Sequence, residues 1–89
     1  MEEKFIAAFE QNRAKATLLG VRMRPLDVKG AKRVLSGTRL SDGFNDLKAK
    51  GQLKLSLEAL VVDKRFTGLF SDEEANEALM RLLEAGYRF

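Results

Sequence analysis

Five glycines, Gly20, Gly37, Gly51, Gly68 and Gly86, fall near the ends of apolar-periodic segments and divide the chain into stretches of helix-plus-turn length. Glycine reaches the positive φ found just past a helix without steric cost, so this spacing predicts short helices joined by tight reversals. Serines mark the opposite ends. Ser41, Ser56 and Ser71 precede helical patterning and Ser36 closes a segment. A serine before a helix accepts hydrogen bonds from backbone amides left unpaired there. All four are read as cap or turn residues rather than nucleophiles.

The segment after Ser71 carries the fullest signal. Ser71-Asp72-Glu73-Glu74 joins an N-cap to a capping-box glutamate and an acidic first turn. Ala75, Ala78, Leu79, Leu82 and Leu83 then recur at helical spacing and predict one buried stripe, with Glu77 and Arg81 paired on the opposite side. The first segment, 2–19, places Phe5, Phe9, Ala16 and Leu19 on one face with Ile6 beside them. A helix is expected at 26–36 around Val28, Ala31 and Leu35. Another is expected at 41–50, where Ser41 would cap, Leu40 would act as a hydrophobic staple, and Phe44 and Leu47 would point inward. Gly30 and Gly43 fall inside these two helices, where each costs up to about 1 kcal/mol relative to alanine unless a close approach requires it.

Residues 21–24 are expected to be extended, because Pro25 disfavours helix in the residue before it. Strict alternation over Gln52-Leu53-Lys54-Leu55 is a strand signal, whereas Leu57, Leu60, Val61 and Lys64 read as a helix capped by Ser56. The expected course is extended at 52–55, then helical at 57–65, and the alternation allows a minor pairing of 21–24 with 52–55. Phe66 and Phe70 would pin the connection between them into the core, and Met23 and Met80 would fill it. The fold class is all-α: one domain over 1–89, a compact bundle of about five short helices.

Composition supports a globular chain, since apolar residues make up 45% and charged residues 33%, whereas disorder needs far fewer aliphatics. Cysteine, histidine and tryptophan are absent. Their absence removes disulfides, thiolate zinc sites and the commonest nucleophile and general base, so no enzyme and no cofactor is expected. The only carboxylate cluster, Asp72-Glu73-Glu74 with Glu77, is explained by helix capping, and no glycine-rich phosphate loop occurs. The acidic opening Met1-Glu2-Glu3-Lys4 lacks the basic start of a signal peptide, and no apolar run approaches membrane-span length. A soluble, cytoplasmic protein without a membrane partner or small-molecule substrate is expected.

The net charge of +3 hides an uneven distribution. Residues 13–54 hold eleven basic and three acidic side chains, whereas residues 55–89 hold four basic and seven acidic. Two readings fit this pattern. The leading one is a non-catalytic interaction module that binds a protein partner or itself, the opposed charges of its parts supplying complementarity. The alternative is a DNA- or RNA-binding module using the basic middle, with 26–50 arranged like a helix-turn-helix. Under that alternative Arg22, Arg24, Lys29, Lys32, Arg33, Arg39, Asn45, Lys48 and Lys50 would face the nucleic acid.

Overall fold

A computed structural model describes residues 1–87. Five α-helices succeed one another among them: α1 (Glu2–Leu18), α2 (Val28–Ser36), α3 (Phe44–Ala49), α4 (Leu57–Val61) and α5 (Asp72–Glu84). Two 3-10 segments, Leu53–Leu55 and Lys64–Leu69, flank α4. No strand occurs among the described residues, so the pairing of 21–24 with 52–55 does not form. Leu53, Leu55 and Leu57 are all buried. The alternation that resembled a strand is a 3-10 turn running into a helix.

Local chemistry explains most of the helix ends. Ser71 and Glu74 form the full capping box, the Ser71 hydroxyl accepting from the Glu74 amide and the Glu74 carboxylate accepting from the Ser71 amide at 2.7 Å. Asp27 caps α2 by accepting from the Gly30 amide at 2.7 Å, and Ser56 caps α4 through the Ala59 amide. At the other ends α1, α3 and α5 stop alike. Gly20, Gly51 and Gly86 take positive φ, and the amide one residue further on bonds back to the carbonyls of Ala16, Leu47 and Leu82. This is the Schellman closure, which satisfies carbonyls that a helix end otherwise leaves open.

The core is built on Phe5. Its ring meets Phe66 edge-on at 5.4 Å and Phe70 at 5.3 Å, and lies parallel to Phe9 at 6.4 Å. Burying each such side chain contributes about 1.5–3 kcal/mol. Helix α4 packs against α5 and α1, and α2 against the same two, while α3 leans on the 53–55 turn. The buried face of α5 is rotated from the expected stripe. Ala78, Leu82 and Arg81 are buried, whereas Leu83 and Met80 are 55% and 56% exposed. Leu19 is also left 39% exposed. Met80 is therefore no core filler, and the charged Arg81 occupies interior space that the sequence pattern assigned to leucine.

Candidate binding groove

The frame begins where α1 closes on Gly20 and the chain continues through 21–27 without helix or strand. Side chains alternate there: Val21 and Met23 are buried, Arg22 and Arg24 exposed. Arg13 Nε donates to the Met23 carbonyl at 2.7 Å and ties this strap to α1. Behind it lies Gly43, which is the N-cap of α3 and not an interior helix residue. Its φ is +76°, and a Cβ there would sit 2.6 Å from Val21 Cγ1. The glycine is needed twice over, for its backbone conformation and for the approach of the strap.

The segment 37–42 forms the facing wall, held from inside by a buried polar cluster. Glu58, on α4, is 0% exposed and Arg81, on α5, is 6% exposed. Ser41 Oγ donates to Glu58 Oε1 at 2.5 Å, and the Ser41 amide donates to Oε2 at 3.2 Å. Arg81 Nη1 donates to Glu58 Oε2 at 3.3 Å, its Nε to Glu77 Oε2 at 2.7 Å, and its Nη2 to the carbonyls of Gly37 and Val34 at 3.0 and 3.4 Å. One guanidinium thus neutralises the buried carboxylate and also closes the C-terminal end of α2. Among the described residues every buried side-chain nitrogen and oxygen has a hydrogen-bond partner, as an interior of low polarity demands. Ser41 is consequently not the cap of α3 that its position suggested.

Between strap, wall and α2 lies an open groove of about 640 Å³. Leu26, Val34 and Leu40 supply its apolar lining, and Arg24, Arg33 and Arg39 its positive charge. Leu40, expected as a staple, is 39% exposed and lines this groove instead. Arg24 Nε donates to Asp42 Oδ2 at 2.6 Å, and its Nη2 to Oδ1 at 3.3 Å. These bonds hold the Asp42 carboxyl below its usual range, against a weaker opposing effect of partial burial. Arg33 and Arg39 are exposed and meet no carboxylate within bridging distance among the described residues.

Of the nine basic or polar residues singled out in the sequence, the groove gathers Arg24, Arg33 and Arg39. Arg22 lines a neighbouring hollow with Arg13 and Thr17. Lys32 points the other way: its Nζ bonds Glu74 Oε1 at 2.9 Å and lies 5.4 Å from the Phe70 ring centre. Burial raises the affinity of Glu74 for a proton, but the Ser71 amide and Lys32 outweigh it and hold that carboxyl below its usual value. Lys29, Asn45, Lys48 and Lys50 are exposed and do not line the groove. Helices α2 and α3 are separated by seven residues, 37–43, and pack on different neighbours, α2 on α1 and α5, α3 on the 53–55 turn.

Sequence reasoning missed the polar cluster. The available signal was a lone glutamate within Leu57-Glu58-Ala59-Leu60-Val61-Val62, a charged residue in an otherwise apolar run. Among the described residues no group of three acidic, histidine or cysteine side chains is arranged to hold a metal ion, and no helix is long and apolar enough to cross a membrane. No protein-family model, curated protein or solved structure matches the chain.

Proposed function

We propose that this chain is a non-catalytic interaction module, cytoplasmic, whose groove receives an acidic, partly apolar segment of a protein partner. The observation that carries this reading is the pairing of Arg33 and Arg39, which meet no carboxylate within bridging distance among the described residues, with an apolar lining of Leu26, Val34 and Leu40 in one concavity. Apolar lining supplies binding energy when water is displaced, and the arginine forks orient carboxylates through paired hydrogen bonds. A wall braced by Glu58 and Arg81 reduces the ordering that binding must otherwise impose. The cysteine-free composition agrees with a reducing compartment.

A fluorescent helical peptide carrying glutamates and leucines on one face tests the reading by anisotropy. Binding should weaken with salt and disappear in the Arg33→Glu, Arg39→Glu double variant. A charge-reversed peptide should not bind. The nucleic-acid alternative draws on the exposed Arg22, Lys29, Lys48 and Lys50. Duplex DNA bound at low salt (about 50 mM) with a steep salt dependence, by a chain that does not bind the acidic peptide, would favour that alternative.

A further inference from the structure

The outer face of α5 bears the chemistry that the groove lacks. Met80 and Leu83 are more than half exposed, with the half-buried Leu79 beside them. Glu73 and Glu84, both exposed, have no cation within bridging distance among the described residues. At 100° per residue they fall on nearly the same side of the helix, roughly 16 Å apart along its axis, with Met80 on that line and Leu83 roughly a quarter-turn to one side. The face is acidic and aliphatic; the groove is arginine-rich and aliphatic. A single chain cannot join its own two surfaces, because α5 already lies against α2 by its other side, where Glu74 binds Lys32 and Arg81 binds the carbonyls of Val34 and Gly37.

We infer that the occupant of the groove is the outer face of α5 from a second copy of this chain. The inference rests on the groove being a site for an acidic, partly apolar segment, and it names that segment. Arg33 and Arg39 of one copy would meet Glu73 and Glu84 of the next, while Met80 and Leu83 would cover Leu26, Val34 and Leu40. Groove and helix face are different surfaces, so the contact is heterologous: the pair retains one free groove, on one copy, and one free helix face, on the other. Assembly then continues head to tail until a ring closes or the row ends.

Light scattering after size exclusion and sedimentation velocity, on the whole chain over a wide concentration range, test this directly. The mass should rise beyond one chain with concentration and fall back with added salt. Two variants disable the two surfaces separately: Arg33→Glu with Arg39→Glu in the groove, and Met80→Lys with Leu83→Lys on α5. All four positions are exposed, and circular dichroism checks that the helices persist. Each variant alone should be monomeric, and their equimolar mixture should give dimers and nothing larger, because one intact groove meets one intact helix face. A strictly monomeric wild-type chain, or a mixture that stays monomeric, overturns the inference. The Met80→Lys, Leu83→Lys variant keeps its groove, so its binding of the acidic peptide shows whether the groove reading survives that failure or falls with it.

Discussion

Two ion pairs in this molecule have the same chemistry and opposite consequences. At the groove edge Arg24 meets Asp42 at 2.6 Å with two hydrogen bonds, but the side chains are 84% and 41% exposed. In the interior Arg81 meets Glu58 at 3.3 Å, a longer contact between side chains 5% and 0% exposed. Distance ranks the first pair as stronger, and burial reverses the order. Water and salt screen the exposed pair, and two long side chains must give up freedom to hold it. The interior pair has lost its hydration, so each member depends on the other and on Ser41, Gly37 and Val34. One region carries charge that is available to a partner; the other uses charge to fix the backbone that presents it.

Removing one member of the interior pair is the severest way to break this contrast. Arg81→Met leaves Glu58 buried without its cation and should cost about 3–5 kcal/mol in a urea denaturation series. The companion Glu58→Leu, Arg81→Met variant should recover most of that loss, since replacing a whole buried pair by apolar groups is often neutral. If the recovered variant binds the acidic peptide less well, the pair's contribution is the placing of segment 37–42 rather than stability.

Gly43→Ala probes the point where strap and wall meet. Left-handed backbone and a contact at 2.6 Å act together, and the cost should be about 2–4 kcal/mol. Gly20→Ala, with nothing within 4 Å of the added carbon, should show only the backbone part, about 1–2 kcal/mol. Ser41→Ala removes the 2.5 Å donor to Glu58 and should cost about 1–3 kcal/mol. Equal losses for Ser41→Ala and Ser36→Ala would count against the buried network, because the exposed Ser36 hydroxyl bonds only its local Arg33 carbonyl.

The exposed side should respond least. Asp42→Asn should leave the denaturation midpoint nearly unchanged at physiological salt. Whatever it costs appears at neutral pH and vanishes in acid, where the carboxyl is protonated whether the chain is folded or not. Asp42 and Asp63, each hydrogen-bonded to an arginine, and Glu74 all titrate below their usual range in the folded chain. Groups depressed on folding contribute stability that is fully present above their unfolded values, near about 3.9 for aspartate and 4.3 for glutamate, and lost as pH falls through the folded values. Stability should therefore be flat with respect to these groups above about pH 5 and decline below about pH 4. Asp42→Asn should make that decline shallower.

The helices themselves were legible in the sequence because the interactions that make them are local. The Ser71–Glu74 box spans four residues, and each Schellman closure at Gly20, Gly51 and Gly86 spans six. Errors came where a residue's nearest partner in space is far along the chain. Ser41 looked like a cap because the residues just after it pattern as a helix, yet its partner Glu58 is seventeen residues away. Gly43 looked like a flaw inside a helix because Val21 and the strap are not neighbours in sequence. The alternation at 53–55 is shared by a strand and by a 3-10 turn between buried leucines, and only the packing of α3 and α1 on that turn distinguishes them. Of the groove, the arginines were legible as charge. Their convergence on Leu26, Val34 and Leu40 was not.

The amino-acid order alone therefore determined an all-α chain, where most of its helices begin and end, and which stretch of it is basic, since hydrogen bonding within a turn and the sum of charges need no long-range information. The tertiary structure alone decided that Arg81 goes inside and Leu83 stays out, that Glu58 holds segment 37–42, and that three arginines share one groove. Those outcomes depend on which helix faces meet across distances of seventeen to forty-seven residues along the chain. Burial, the quantity that sets what a charge is worth, exists only once those faces have met.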